Sequence, residues 1–480
     1  MAGMLVKTFL LGAATLALLH AGEGGRVVDL RDVPNPCEPT GMAPYDYKQT
    51  LCMAYVFYEA QRSGKLPEDQ RLTWRGDSAL GDGSDVGLDL TGGYFDAGDF
   101  VKFLLPQGFT ATMIAWGLVD FPQGHEAAGQ SEYGRKTLKW VTDFLLKCHT
   151  GPYEFYGQVG DGHIDHKFWG RPEEMTMERP SFKIDYDHPG TELVGEAAAA
   201  LAAASIVFKE DDPAYSEEVL AAAKELYNFG DERRDYYHNS IPEVLDFYKS
   251  WSGYGDELAW GALWLYRATN DEFYLERAKD HWVEFNLEEM PREFSWDYKM
   301  LGVYALFTML DEDPVYKDTL VEALNHFQKD FPYTPGGLDF IQFWGSNRHA
   351  ANVAYVALVA SKLGIDADAN REWAASQIDY MLGSTGRSFV VGYGPEAPER
   401  VDRCLGFLRS CPDLPEVCDP DWAMKQPGPN PQTVWGALAG GPDKDGNFVD
   451  DREDYVHNEV AIDYNAGYTP SLAGLIELTP

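Results

Sequence analysis

The sequence predicts an all-α domain in which about twelve helices pair as six hairpins around a closed ring. Stretches with apolar residues at three-to-four-residue spacing recur along the chain, whereas the alternating pattern of β-strands is scarce. No linker rich in Ser, Thr or Pro and no low-complexity tract divides the 480 residues. We therefore expect residues 45–480 to form a single domain.

The predicted helices follow one another along this whole domain. Leu138, Val141 and Leu145, for example, lie on one face at helical spacing. The stretches Thr269–Asp271 and Asp311–Pro314 carry the signals expected just before a helix. The predicted ranges are 44–63, 108–118, 133–149, 190–208, 214–228, 256–268, 271–286, 299–310, 314–328, 350–363, 367–382 and 459–476.

Three long loops interrupt the helical pattern, at roughly 70–106, 150–189 and 384–458. They contain most of the clustered Gly, Pro, Trp and acidic residues. Long loops in a compact domain usually carry function, so we expect them to build a site at one end of the ring.

The N-terminus has the pattern of a secretory signal peptide over residues 1–21, followed by a short leader over 22–44. Lys7 supplies the positive charge, Thr8–Leu19 is an apolar run, and small residues follow. The run is too short to span a bilayer, and no later segment approaches 18 consecutive apolar residues. We therefore expect a secreted, extracellular protein.

The six cysteines all follow the predicted cleavage point, so disulfides are permitted. Cys411 and Cys418 are close in sequence and are predicted to pair, while the connectivity of the other four is left open. Those four are Cys37, Cys52, Cys148 and Cys404.

The formal charge of -38 limits the partners. It argues against nucleic acid and anionic membranes, because both would be repelled. A neutral polymer would meet no such repulsion, and surplus aromatic residues suit the flat faces of sugar rings. We expect a monomer.

The most informative stretch is the turn Gly92–Lys102, which contains Asp96 and Asp99 three residues apart among glycines. Glycine lets the backbone aim two carboxylates at one point and admit a bulky ligand. One acid that activates water beside a second is half of a hydrolase. An Asp-Ala-Gly-Asp turn taken alone is more often a helix cap or a solvated loop.

Glu459 is the candidate proton donor, in the stretch Asp454–Gly467 that leads into the last predicted helix. It would serve as a general acid if burial or the charges of Asp96 and Asp99 raised its pKa. The alternative is a helix-start carboxylate without further role, on which the helix dipole would act in the opposite direction.

Taken in order, these stretches resemble glycoside hydrolase family 9, the cellulases built on an (α/α)6 barrel. The resemblance covers nearly the whole chain from about Tyr45. It rests on Gly92–Lys102, Gly160–His166 with Trp169–Pro172, His188–Gly190, Trp251–Leu258, Trp344–Ser346 with Arg348, Gly440–Asp443 and Asp454–Gly467.

The resemblance implies an inverting endo-β-1,4-glucanase. Asp99 matches the base that activates water, Asp96 matches its partner in holding that water, and Glu459 matches the general acid. Inversion requires an acid and a base roughly 6.5–9.5 Å apart, so that water fits between base and sugar. Two loops distant in sequence can meet this spacing if the ring closes.

Further residues match the family's glucose-binding positions, each with core or loop packing as its alternative. Tyr464 matches a tyrosine near the cleavage point. The other matching residues are His166, Tyr248, Trp251, Trp296, Trp344 and Arg348.

A structural calcium ion is also implied, because the stretch 252–257 resembles the family's calcium loop. Oxygen ligands from the backbone and from carboxylates suit calcium. A helix cap followed by first-turn acids is the alternative for the same residues. The implied ligands are Ser252, Gly253, Asp256, Glu257 and Asp297.

The sequence departs from the family in the interval Pro398–Arg409, where members usually carry a His-His-Arg run that contacts substrate. No histidine is present there, and Arg403 and Arg409 are the candidate substitutes. The departure leaves a glucan-binding relative with impaired catalysis as the alternative to an enzyme, and a calcium-dependent interaction protein as a third class. No separate cellulose-binding module is visible, so we expect a soluble or amorphous β-1,4-glucan as substrate.

Overall fold

Twelve long helices form the framework of the computed structural model, which describes residues 34–168, 170–401 and 428–479. All but the last begin within four residues of the predicted start. The helices are α1 Tyr47–Gln61, α2 Leu104–Asp120, α3 Ser131–Cys148, α4 Thr191–Phe208, α5 Pro213–Glu232, α6 Gly255–Thr269, α7 Glu272–Glu284, α8 Met300–Leu310, α9 Pro314–Asp330, α10 Ser346–Lys362, α11 Ala367–Leu382 and α12 Tyr464–Leu478.

These helices form two concentric rings. The even-numbered helices pack one against the next from α2 to α12, and α12 packs back against α2, so the inner ring closes. Each odd-numbered helix packs outside: α3, α5, α7, α9 and α11 against the inner helix that precedes each in the chain, and α1 against α12. The predicted (α/α)6 barrel of six helical pairs is confirmed.

Inner and outer helices differ in burial as their sequences require. Helix α4 is long and apolar enough to cross a membrane by composition alone, but 89% of it is buried inside the barrel, as expected of a core helix. Helix α3, in the outer ring, buries only the face that carries Leu138, Val141 and Leu145. The width of the apolar face of a helix thus indicates whether that helix lies in the inner or the outer ring.

Helix caps lie where the sequence places them. The side chain of Asp271 accepts a hydrogen bond from the backbone N–H of Phe273 at 3.1 Å. Asp313 accepts from the N–H of Val315 at 3.0 Å. Both satisfy donors that the first turn of a helix leaves unpaired.

The last predicted helix begins later than expected, at Tyr464 instead of residue 459. A separate short helix, Tyr455–Asn458, precedes it, and Glu459 is extended at the end of that turn. The carbonyl of Glu459 accepts from the N–H of Gly440 at 2.9 Å, so it pairs with a neighbouring loop instead of starting a helix.

A small antiparallel sheet was not predicted and lies within the first two long loops. Strand β3 (Glu154–Val159) pairs with β1 (Lys102–Phe103), β2 (His149–Gly151) and β4 (Ser181–Asp185). The sheet anchors the acidic turn, because β1 follows Asp99 directly. The remaining short helices among the described residues are Pro122–Ala127, Gly162–Asp165 and Tyr237–Ser240, with 3₁₀ turns at Pro172–Glu174 and Pro242–Val244.

Of the six cysteines, Cys37 and Cys52 form a disulfide and Cys148 is free and buried. The predicted pairing of Cys411 with Cys418 concerns residues outside the described part of the chain, and it stays a prediction. The predicted signal peptide likewise lies outside the described residues.

Asp339, in the loop between α9 and α10, should make stability depend on pH. The side chain is fully buried, and neither carboxylate oxygen has a hydrogen-bond partner. Burial raises its pKa to about 8. The folded state therefore binds a proton that the unfolded chain, with a pKa of about 3.9, releases. The stability that this proton contributes is fully present below the pKa of Asp339 in the unfolded chain. It is lost as pH rises through the pKa of Asp339 in the folded state.

We expect Asp339→Asn to flatten the pH dependence. Between pH 4 and 8 the free energy of unfolding of the wild type should fall faster than that of the variant, by up to about 1.4 kcal/mol per pH unit. Urea unfolding at a series of pH values measures this, with the exposed Asp318→Asn as control. If the free energy of unfolding changed equally with pH in wild type and Asp339→Asn, the raised pKa of Asp339 would be contradicted.

Candidate active site

A cavity of about 740 Å³ opens where the loops that precede the inner helices meet. Every residue predicted to be catalytic or to bind substrate lines it, and so does Asp297. The lining consists of Asp96, Asp99, Phe103, His166, Asp246, Phe247, Tyr248, Trp251, Glu293, Ser295, Trp296, Asp297, Gln342, Phe343, Trp344, Arg348, His349, Tyr455, Glu459 and Tyr464.

The acidic turn presents two buried carboxylates to this cavity. Asp96 Oδ2 accepts a hydrogen bond from the Tyr248 hydroxyl at 2.5 Å, and the Asp96 carbonyl accepts from the N–H of Ile462 at 2.9 Å. The Oδ1 atoms of Asp96 and Asp99 have no hydrogen-bond partner. Each carboxylate thus keeps one buried oxygen whose hydrogen-bonding capacity is unused.

The two carboxylates differ in their electrostatics. Burial, and then the charge of Asp99, raise the pKa of Asp96 well above its usual range. Burial also raises the pKa of Asp99, but His166 opposes the rise, with Nε2 at 3.9 Å from Asp99 Oδ2. Of the pair, Asp99 has the surroundings that better favour the ionised form.

Asp165 stands beside this pair and was not predicted. Its Oδ2 accepts from the N–H of Phe100 at 3.2 Å, one residue beyond Asp99. Burial and the charge of Asp99 raise the pKa of Asp165 well above its usual range. Asp165 lies within the stretch Gly160–His166 that resembles the family. The sequence therefore indicated this region, but not the contact between Asp165 and Phe100.

Glu459 faces the turn from the opposite end of the chain. Its Oε2 accepts from the Tyr464 hydroxyl at 2.7 Å and from Trp344 Nε1 at 3.0 Å. Burial raises the pKa of Glu459, and these two hydrogen bonds oppose the rise. Because α12 begins at Tyr464, Glu459 lies before the helix. It is therefore not the helix-start carboxylate that the alternative proposed.

Arg348 is held on several sides at the first turn of α10. One terminal nitrogen donates to Asp463 Oδ2 at 2.5 Å, and the guanidinium lies 4.7 Å from the centre of the Tyr464 ring. Its Nε donates to His349 Nε2 at 3.3 Å. This cation therefore has a fixed orientation beside the candidate acid.

Aromatic rings form the cavity wall with very different exposure. Trp251 is 75% exposed, Phe343 59% and Trp344 38%. Trp296 is buried and meets the ring of Tyr248 edge to face at 4.9 Å. Large exposed aromatic faces bordering a cleft mark a binding surface, and flat sugar rings fit them.

Several lining residues were missed by sequence reasoning. His349 and Phe343 adjoin the predicted Arg348 and Trp344, so adjacency was a usable signal. Asp463, which does not line the cavity but accepts from Arg348, lies within the stretch that carries Glu459. Glu293 had no signal, because it stands in a loop without a motif.

Four of the five predicted calcium ligands line one of two cavities, and Glu257 lines neither. Asp297 lines the large one, and its carboxylate oxygens accept from the N–H of Trp251 at 3.0 and 3.1 Å. Ser252, Gly253 and Asp256 line a neighbouring cavity of about 240 Å³. Asp256 Oδ2 accepts from a backbone N–H at 2.7 Å.

The charges around this loop are unbalanced. Lys299 Nζ lies 3.1 Å from Glu257 Oε1 and 3.4 Å from Glu196 Oε2. Glu257 Oε2 is buried without a hydrogen-bond partner, and burial raises the pKa of Asp297 to about 7. Within the described residues, no group of three or more His, Cys, Asp or Glu side chains is arranged as a metal site. A calcium ion held here would therefore need backbone oxygens as well as carboxylates.

Comparison with known proteins agrees with this geometry. The family model of Glycosyl hydrolase family 9 matches residues 47–472. Endoglucanase B of Cellulomonas fimi is 43% identical over 453 residues, covering 90% of this chain and 42% of that protein. The chain thus spans less than half the length of this relative.

Solved structures agree in fold as well. Endoglucanase from the termite Nasutitermes takasagoensis has a TM-score of 0.89 and 52% identity, covering 92% of this chain and 100% of that chain. The cellulase Cel9M of C. cellulolyticum, solved in complex with cellobiose, has a TM-score of 0.84 and 35% identity, with the same coverage. This chain belongs to glycosyl hydrolase family 9 and is a glycoside hydrolase.

Proposed function

We propose that this protein is an endo-β-1,4-glucanase that cleaves internal bonds of cellulose-type glucans with inversion. The observation that carries the proposal is the meeting of Asp96, Asp99 and Glu459 in one cavity walled by aromatic rings. Relatives named endoglucanase and a cellulase that holds cellobiose support the substrate class.

In this proposal Glu459 is the general acid. Burial favours its protonated form, which donates to the glycosidic oxygen as the bond breaks. The hydrogen bonds from Trp344 and Tyr464 to Oε2 hold the carboxyl in place and stabilise the carboxylate that remains.

Asp99 is the general base in the same reaction. His166 favours its ionised form, and its unpartnered Oδ1 is available to take a proton from water. Asp96, held by Tyr248, helps to orient that water with its own unpartnered oxygen. Attack on the face of the sugar opposite to the leaving group inverts the anomeric centre.

The cavity wall supplies the binding surface for a neutral polymer. Trp251 and Trp344 offer ring faces to glucose units, and Arg348 offers donors to hydroxyls. A glucan chain carries no charge, so the protein's charge of -38 does not oppose its approach. The glucan-binding alternative without catalysis has no support in the comparisons.

We also propose a structural calcium ion held by Ser252, Gly253, Asp256, Glu257 and Asp297. The unpartnered Glu257 Oε2 and the excess of buried carboxylates over Lys299 support it. Bound calcium would supply positive charge that compensates these carboxylates. It would take no part in the reaction.

Secretion is proposed on separate grounds, and the expected monomeric state stays a prediction. The N-terminal pattern is that of a signal peptide, and the disulfide between Cys37 and Cys52 suits an oxidising compartment.

Glu459→Gln should abolish turnover. We expect kcat to fall by about 10²–10⁴-fold, because the amide cannot donate a proton to the leaving oxygen. Viscosity and new reducing ends of a soluble β-1,4-glucan, followed together, measure both the rate and the endo pattern. Proton NMR of the first product should show the α-anomer.

The matched control is Glu453→Gln, an exposed glutamate in the same loop. If Glu459→Gln had the same kcat as this control, Glu459 would not be the general acid. A β-anomeric first product would refute inversion.

Tyr464→Phe should shift the pH profile. The hydroxyl stabilises the Glu459 carboxylate, so its removal should raise the pKa of Glu459 by roughly 0.5–1 unit. The acid would then stay protonated to higher pH, and the alkaline limb of kcat/KM should move upward. Tyr455→Phe removes a cavity hydroxyl that makes no hydrogen bond to Glu459 and keeps the backbone carbonyl that accepts from the Glu459 N–H, so it should leave the limb in place. A limb that moves downward in Tyr464→Phe would contradict the assignment.

Chelation should destabilise the fold. EGTA should lower the Tm by roughly 5 °C, and calcium but not magnesium should restore it. Differential scanning calorimetry measures this without reference to activity. In Glu257→Gln the response to EGTA should be lost. An unchanged Tm of the wild type after exhaustive chelation would rule out the site.

A further inference from the structure

We propose that Glu293 and His349 are positioning residues that hold Arg348 in the orientation in which it contacts the glucan. The inference rests on the proposed function, because that function assigns Arg348 to substrate binding. Neither Glu293 nor His349 belongs to a sequence motif used above. Both line the active-site cavity.

The three side chains form a short relay of contacts. His349 Nδ1 lies 3.0 Å from Glu293 Oε2, and Arg348 Nε donates to His349 Nε2 at 3.3 Å. His349 is almost fully buried, whereas Glu293 is partly exposed to the cavity. The imidazole thus connects a carboxylate on the loop before α8 with an arginine on α10.

The contact with Arg348 also selects one tautomer of His349. An arginine has no acceptor, so His349 Nε2 must accept and cannot carry a proton. The ring proton then resides on Nδ1, which faces Glu293. A carboxylate on that side favours this tautomer, in the way that an orienting carboxylate acts on other histidines.

Arg348 is consequently restrained on three sides. His349 holds Nε, Asp463 holds one terminal nitrogen, and the Tyr464 ring covers one face. These contacts leave other N–H donors of the guanidinium for sugar hydroxyls. A pre-oriented arginine loses less conformational entropy when the glucan binds, and this lowers KM.

The test uses His349→Leu, which removes the acceptor, and His349→Gln, whose amide oxygen can replace it. We expect His349→Leu to lower kcat/KM on a soluble cello-oligosaccharide about tenfold, mainly through KM, as for one hydrogen bond to a charged group. His349→Gln should retain most of the activity. Unfolding temperatures establish that each variant is folded.

The decisive measurement is a double-mutant cycle with Arg348→Lys. If His349 acts through Arg348, His349→Leu should change kcat/KM less than twofold in the Arg348→Lys background. Should His349→Leu fail to fold, Glu293→Met with Glu293→Gln as the conservative partner gives the same cycle from the other end.

Additive effects in the cycle would overturn the inference while leaving the proposed function intact, since the wild type would still cut the substrate. Equal KM values for wild type and His349→Leu would overturn it as well. A wild type that neither cuts nor binds the oligosaccharide would instead refute the proposed function, and the inference with it.

Discussion

Closure of the inner ring is the constraint on which the rest of the structure depends. Because α12 packs back against α2, the six inner helices begin at one end of the barrel, and the loop before each of them reaches the same cavity. One lining residue from each of these six loops is Asp99, His166, Trp251, Trp296, Trp344 and Glu459. The opposite helix ends carry a separate ionic cluster, in which Arg267 pairs with Asp120 and Lys362 with Glu477. A barrel left open between α12 and α2 would separate Glu459 from Asp96 and Asp99, because these residues belong to the loops before those two neighbouring helices.

The closed ring also explains the electrostatics of the site. Asp96, Asp99 and Glu459 are removed from water by their neighbours, and burial is the largest influence on the pKa of each. Their differences come from the partners that the ring supplies: His166 for Asp99, and tyrosine hydroxyls for the other two. Similar acids thus acquire different surroundings, which acid–base chemistry requires.

Much of the fold was predictable because helical periodicity is a local property. Helix ranges, the caps at Asp271 and Asp313, and the pairing into hairpins followed from residues close together in the chain. The small sheet was missed because its strands are only two to six residues long, and the alternation of Phe182 and Ile184 with polar residues in β4 is too short to stand out. The start of α12 was placed five residues early because apolar periodicity continues through Val460–Ile462, where the backbone turns instead.

The sequence by itself determined the ring of helical pairs and the residue types of the acidic turn, the aromatic wall and the distant Glu459, since each rests on local spacing or a local motif. Only the tertiary structure decided their partners. The Tyr248 hydroxyl donates a hydrogen bond to Asp96, which lies 152 residues earlier in the chain. Glu293 contacts His349 from a loop that carries no sequence motif. Such pairs depend on how inner helices stack around the ring, and long-range packing leaves no periodic trace in the chain.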